Sequence, residues 1–524
     1  MLAVIGYTTV LFMLKTPMSV YNAVVPVIGM LIYGFAADRR LLPGLITDIL
    51  IIAVWSVICV KMTDWSYDGM YYHKEAIITL EKGWNPIYQS CAQAEALNAN
   101  ADLALWLDNY PKGIWMLSAA LYILTDFIET AKAVNIFFII ILYGTAYSAL
   151  RDVFAMNRKK AVCFSFLICL NPVYICQIFT SYNDLAVGVL IMTAVFLGMK
   201  IYSECADIYD CALLLCVCAL SCLVKFTAPL LVGIILIVYG GSYALKKKGI
   251  RAADFKKPAV IILAGFISGT LFFGFDPYVK HLMNGQNLVY PVLGENHYDI
   301  MNSNPPKGFE NKTGIGKYFI SLFSKTANDH EEQYELKFPF TVYKSEFESL
   351  SNADIRLGGF GVLFGGILIL SVAAALLSAI RYKHKMKAEA LIALAAFIGL
   401  GLFFPEAWWA RYASYTYYIP IFLTLYVSEC KRTALYAYII TLLVAANSII
   451  TAAFVIKDGT FMTNYFDNML NEIKAEKKEV EIRINDFPSH LVMFEEKGIP
   501  YRLSEVSLTD EIVFYADTKY KFIN

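Results

Sequence analysis

The chain has 524 residues, of which 58% are hydrophobic and 17% charged, with a mean hydropathy of +0.53. An ordinary soluble domain is about a quarter charged, so this composition predicts a polytopic membrane protein and excludes a single soluble domain. Formal net charge is zero, which leaves no bulk charge for nucleic acid and makes the distribution of Lys and Arg more informative than their sum.

Apolar runs occur at about residues 2–14, 18–35, 43–61, 131–150, 161–179, 184–202, 211–224, 228–245, 258–275, 357–380, 388–404, 416–430 and 433–455. They predict about thirteen transmembrane helices. The first run lacks a basic leader and a small-residue cleavage site, and is expected to be a retained span rather than a signal peptide. Most cysteines, such as Cys169, Cys218 and Cys222, lie inside apolar runs as small hydrophobes, and no Cys/His grouping has zinc-ligand spacing.

Basic clusters fall at Arg39-Arg40, at Arg151 with Arg158 to Lys160, at Lys246 to Lys248 with Arg251, Lys256 and Lys257, at Arg381 to Lys387, and at Lys431-Arg432. If all are cytoplasmic, the spans alternate consistently, with the N-terminus cytoplasmic. One condition attaches: Lys112 to Thr125, an apolar piece of 14 residues, must not cross. Shorter than the roughly 20 residues of a span, it is expected to lie in the outer interface or to dip in and return. The long loops 62–130 and 276–356 and the tail then share the extracytoplasmic side of the plasma (inner) membrane. The expected domains are a transmembrane domain, 1–456, and a small extracytoplasmic α/β domain, 457–524. Within the latter, 463–477 and 489–496 read as helices, and 479–484 and 511–516 as strands.

The stretch from Lys61 to Pro86 leaves the third span with Asp64, Asp68 and His73 set among Trp65, Tyr67, Tyr71 and Tyr72. A carboxylate at the outer end of a span meets a lipid-borne substrate from one side and a water-borne one from the other, which makes Asp68 the leading general-base candidate. Asp64 lies one helical turn earlier. If the segment is helical the two share a face, suited to a coupled pair or a metal ion; if it has unwound, only one is central. His73 is suited to bonding a phosphate or a sugar hydroxyl, or to resting at headgroup level. The residues from Tyr71 to Gly83 then read as an amphipathic helix.

Further on, Asn183-Asp184 suits either an acceptor contact or the cap of the helix that follows. Lys225 is a lone cation in the apolar stretch CLVKFTAPLL. The run from Asp276 to Gly294 carries Tyr278, Lys280, His281, Asn284 and Tyr290. Arg411 sits in a short aromatic loop with Glu406, which either pairs with it or meets the acceptor, and with Trp408, Trp409 and Tyr412.

DGMYYHKEAIITLEKGWNP resembles the first extracytoplasmic loop of the GT-C superfamily of membrane glycosyltransferases, which includes protein O-mannosyltransferases (glycosyltransferase family 39) and the lipid A aminoarabinose transferase. The resemblance continues, in order, through Asn109 to Gly113, Tyr182 to Asp184, Lys225 to Thr227, Asp276 to Gly294, Arg356 with Gly358 to Gly361, and Pro405 to Tyr412, and so spans residues 43–412. The chain departs from better-known members in an extra N-terminal pair of spans, a Tyr-Asp-Gly context instead of Asp-Glu, and Tyr-Pro-Lys-Gly in place of a His-Pro-Pro turn.

The resemblance implies a GT-C-like fold, a polyprenyl-phosphate sugar donor and an Asp just after a span acting as base, here Asp68. It implies an inverting transfer to an acceptor hydroxyl in the cell envelope. Arg411, Lys225 and His73 would then hold the donor phosphate. Glu406, Tyr72, Asn183, Asp184, Tyr278, His281 and Tyr290 would contact substrate. No metal is expected for a monophosphate donor, whereas a diphosphate donor would bring Mg²⁺ or Mn²⁺ to Asp64 and Asp68. The rival expectations are a lipid-linked glycan flippase, with ionisable residues at mid-membrane depth, and an O-antigen-type polymerase or ligase.

Overall fold

A computed structural model of the chain describes all residues except 95–100, 248–251, 300–303, 329–332, 505–510 and 524. Lys248 and Arg251 of the third basic cluster therefore lie outside the described residues.

Apolar helices dominate. Among the described residues, five are long and apolar enough to cross a membrane: Arg39–Cys59, Ile128–Asp152, Asp184–Tyr202, Thr227–Lys246 and Ala434–Ala475. A sixth crossing is available if the pair Lys257–Phe273 and Phe275–Met283, bent by 81°, is one broken span. Six further apolar helices have only 10–17 residues, so the expected thirteen crossings are not confirmed. The shortfall has local causes. The run 161–179 is cut at Asn171-Pro172, where the Asn171 side chain accepts from the Val173 N–H and Pro172 starts a new helix. The run 416–430 begins its helix only at Tyr418, after an irregular turn over Ala410–Tyr417.

Asp184–Tyr202 is the axis of the bundle, buried from Asp184 to Lys200. At Gly188 a Cβ would lie 2.3 Å from Ser414 Oγ and 2.5 Å from Tyr174 Oη, so only glycine lets the Ala410–Tyr417 turn approach this closely. The two ends of the axis differ. Lys200 binds Asp152 at 3.0 Å and Asp210 at 2.6 Å, Tyr209 bonds Asp38 at 2.9 Å, Lys246 bonds the Tyr202 carbonyl at 2.9 Å, and Lys387 bonds the Val153 carbonyl at 3.1 Å. The basic turns thus gather at the Lys200 end. The long loops gather at the Asp184 end.

Gly113–Thr125 is a helix of 13 residues, about 20 Å long at 1.5 Å per residue, against a hydrocarbon layer of about 30 Å. Rather than resting on a surface, it is largely buried, packed on Lys74–Glu81, Ile128–Val134 and the N-terminal helices. The helix expected after Tyr71 runs as Lys74–Glu81 beyond a wide turn at Gly69–His73.

Ala434–Ala475 continues without a break past residue 457, so its last turns belong to the appendage. Phe466, Leu470 and Ile473 pack under a four-stranded sheet with Ile482, Leu491 and Phe514. The strands are β1 (Val480–Arg483), β2 (Tyr501–Leu503), β3 (Ile512–Tyr515) and β4 (Thr518–Phe522), in the order β2-β1-β4-β3. β1 and β2 are parallel, joined through the helix His490–Lys497, and β3–β4 is a hairpin.

Candidate active site

Asp64 shapes the segment that carries Asp68. Its carboxylate accepts from Ser66 N at 3.0 Å, from Ser66 Oγ at 2.5 Å, and from Ser181 N at 2.7 Å, tying the exit of one helix to the approach of another. At Gly69 a Cβ would stand 2.3 Å from Ser66 Oγ and 2.5 Å from Asp64 Oδ2, so glycine permits the close turn that follows Asp68. Met70 of that turn is held by the appendage, its carbonyl accepting from Ser489 Oγ at 2.7 Å.

Asp68 Oδ2 accepts from the Arg411 guanidinium at 3.0 Å, and the Asp68 N–H donates to Tyr182 Oη at 3.3 Å. Arg411 is the hub. Its Nε lies 2.9 Å from Asp354 Oδ1, its terminal nitrogen 3.8 Å from Asp184 Oδ2, and its plane packs over Trp409 at 4.4 Å and Tyr412 at 4.9 Å. Asp184 also binds Lys225 at 2.6 Å, and the Lys225 ammonium sits 4.4 Å above the Tyr412 ring. Arg356 completes the group, 3.3 Å from Asp354 and 4.7 Å over Trp409. Three carboxylates and three cations from five distant stretches thus share one site. Asp68 is its most open member, its side chain 22% exposed against 3% for Asp184 and 8% for Arg411.

Burial pushes the Asp354 carboxyl up to about 6 even though Arg411 and Arg356 hold it down.

Asn183 does not cap its helix: its side chain makes no capping bond, and its Oδ1 is buried without a hydrogen-bond partner. Gln177 does the capping, accepting from the Leu185 N–H at 2.7 Å while its amide donates to the Ala353 carbonyl at 3.0 Å. One side chain thereby sets Asp354 beside Asp184.

The expected site residues separate into groups. Asp68, Arg411, Lys225 and Asp184 come together, with Tyr72 and Asn183 at the edge. Asp64 is not paired with Asp68: it accepts peptide and serine donors, while Arg411 takes Asp68. Among the described residues no group of three or more His, Cys, Asp or Glu could hold a metal ion. His73 is nearby, among Tyr72, Tyr110, Trp115 and Tyr182. Burial, then Lys225, push it down to about 3, and its Nδ1 accepts from the Trp115 indole at 2.8 Å, so it is a neutral ring among aromatics. Glu406 accepts from the Trp408 indole at 3.3 Å and is not the partner of Arg411. Tyr278 donates to the Cys222 carbonyl at 2.7 Å, and His281 bonds Asn109 at 3.0 Å and meets Tyr290 edge-on. These three lie apart from the hub, beside the buried pair Lys112–Asp276 at 2.5 Å.

Asp354 and Gln177 were not legible in the sequence. The only signal for Asp354 is its place two residues before Arg356 in a glycine-rich stretch, and Gln177 lies inside an apolar run.

No family model and no curated protein matches the chain. Among solved structures, it is similar to the oligosaccharyltransferase of Archaeoglobus fulgidus in the apo form, at 12% identity and a TM-score of 0.33, over 80% of this chain and 57% of that one. It is similar also to the archaeal oligosaccharyltransferase AglB from Archaeoglobus fulgidus in complex with an inhibitory peptide and a dolichol-phosphate, at 12% identity and a TM-score of 0.33, over 81% and 58%. The chain thus spans less than three fifths of the length of the solved chains it matches.

Proposed function

We propose that the protein is an inverting membrane glycosyltransferase that moves a sugar from a polyprenyl-phosphate donor to an acceptor hydroxyl, on the side of the membrane where the long loops gather. The observation that carries this reading is the Asp68–Arg411 pair, joined across 343 residues of sequence with Lys225 beside it, at one end of an apolar bundle. A base and two cations in one half-open site are what such a transfer needs.

Arg411 is shared among carboxylates. An incoming lipid phosphate competes for the guanidinium and for Lys225, and draws Arg411 away from Asp68, which leaves that carboxylate free to accept from the acceptor hydroxyl. The acceptor oxygen then attacks the anomeric carbon and gives its proton to Asp68. The bond from that carbon to the phosphate oxygen breaks, and the polyprenyl phosphate leaves with its new charge on Arg411 and Lys225. Tyr182, Trp409 and Tyr412 keep the guanidinium plane in place.

A carrier of lipid-linked glycans would place ionisable groups along a path through the bundle. In the axial helix Asp184–Tyr202 the ionisable residues are Asp184 at one end and Lys200 toward the other, with none between, so transfer is the better-supported reading. The test is Asp68→Asn in membranes supplied with labelled polyprenyl-phosphate sugars. Loss of transfer with normal protein levels supports the proposal; unchanged transfer removes Asp68 from its role.

A further inference from the structure

A cavity of about 350 Å³ opens between the loop that carries Asp68 and the C-terminal appendage, near the lower end of the range for small-ligand sites of about 300–1,000 Å³. One wall is the catalytic loop and the floor of the hub, with Trp65, Tyr67 and Asp354. The facing wall is the appendage, with Phe487, Tyr515, Asp486 and Asp517. Tyr67 immediately precedes Asp68, and Asp354 binds Arg411, so the cavity borders the charge cluster.

The chemistry of the walls narrows the occupant. No Lys or Arg is among the described residues that line the cavity, so a phosphate or a sugar acid would meet Asp486 and Asp517 with no cation in the lining, and an Asp354 already engaged by Arg411 and Arg356. Aromatic faces offer the C–H surface of a small polar ligand a place to lie, while carboxylates accept from its hydroxyls. Burial and a hydrogen bond with Asp517 raise the Asp486 carboxyl, so this pair retains a proton more readily than a free carboxylate and presents a donor beside its acceptors. A hydroxyl, which both donates and accepts, is matched by such a pair.

We infer that this cavity is the acceptor subsite and that it takes the terminal ring of a neutral saccharide, with the appendage supplying the half of the site that selects it. The inference rests on the reading of Asp68 as the base, because Tyr67 and Asp354 bring the ring's hydroxyl to that carboxylate. It gives the appendage a role in recognition in addition to its hold on Met70.

The test is ligand-observed NMR on the full-length protein in detergent. The probes are the methyl glycosides of neutral hexoses, with methyl glucosaminide, glucuronic acid and a Ser/Thr hexapeptide as comparisons. Saturable binding of a neutral glycoside is expected, weakened roughly tenfold by Asp517→Asn and by Tyr515→Ala, which remove a hydrogen bond and an aromatic face respectively. Thermal unfolding of both variants verifies that they are folded, and Asp517→Asn, at an exposed hairpin tip, is the one expected to leave stability unchanged. Preference for the aminosugar, the sugar acid or the peptide overturns the inference, as does glycoside binding that folded Asp517→Asn and Tyr515→Ala leave unchanged, or no binding at all. Glycoside binding without transfer by the wild-type protein upholds the subsite and sinks the transferase reading.

Discussion

Two clusters of buried charge flank the same short loop, and they are built differently. In the first, Glu129 lies between Lys74, at 2.6 Å, and Lys132, and the remaining donors go to peptide groups: Lys74 to the Asp64 carbonyl at 3.1 Å, Lys132 to the Met62 carbonyl, and the Asp64 N–H to Glu129 at 3.0 Å. Every charged group there has its partners and is largely shut away, with Lys74 4% and Lys132 1% exposed. In the second, Arg411 divides itself among Asp68, Asp184 and Asp354, and one side is open at Asp68. The sealed cluster fixes where the loop starts. The divided one has an arginine that can change partners, and reactivity is expected where charges are shared rather than saturated.

The comparison is most severely strained by deleting its two centres. Arg411→Ala leaves Asp68 without its cation and Asp184 and Asp354 with only Lys225 and Arg356, and Glu129→Gln removes the carboxylate that two buried ammonium groups share. Each is expected to cost about 3–5 kcal/mol, read by thermal or denaturant unfolding of the purified protein. The variants should part company in activity. Arg411→Ala abolishes transfer, while Glu129→Gln, per folded molecule, leaves it nearly unchanged. If Glu129→Gln abolished transfer in folded protein, the division between holding and reacting would fail.

A smaller effect separates the clusters by pH. An unfolded Asp ionises near pH 4, and the folded Asp354 near 6. Between those values the folded protein holds a proton that the unfolded chain has released, so stability falls as pH rises through this window. Asp354→Asn should remove this part of the pH dependence, measured as unfolding midpoints from pH 4 to 7. A slope unaltered by the substitution would mean that Asp354 ionises as freely as in water.

The smallest effect is expected at Glu406→Gln. Its carboxylate meets the Trp408 indole and not Arg411, so transfer should change by less than about twofold and stability by about 1 kcal/mol. A large loss of activity would return Glu406 to the hub.

The sequence made the reactive cluster half visible. Asp68, Lys225 and Arg411 stand out because ionisable residues at the ends of apolar runs are costly to place there without a purpose. Asp354 does not stand out, because it lies in a long polar loop where acids are ordinary, and only the fold brings it to Arg411. His73 was visible as a residue but not as a neutral one; the aromatics that bury it come from residues 106–115 and 182 as well as from its own segment. The elements of the appendage followed alternation and helical periodicity at Val480–Arg483, His490–Lys497 and Ile512–Tyr515, while the short strands Tyr501–Leu503 and Thr518–Phe522 carried too little pattern to be read. Counting apolar runs did not find the Asn171-Pro172 break, because hydropathy averages over a pair of residues that ends one helix and starts the next.

The most direct test sets the two clusters against each other in a single assay: initial rates of sugar transfer from a polyprenyl-phosphate donor by Asp68→Asn and by Glu129→Gln, each normalised to folded protein. The account predicts a loss of roughly 10²–10⁴-fold for Asp68→Asn, the range that a general base contributes, and less than about threefold for Glu129→Gln. Equal losses, or a greater loss in Glu129→Gln, would contradict it.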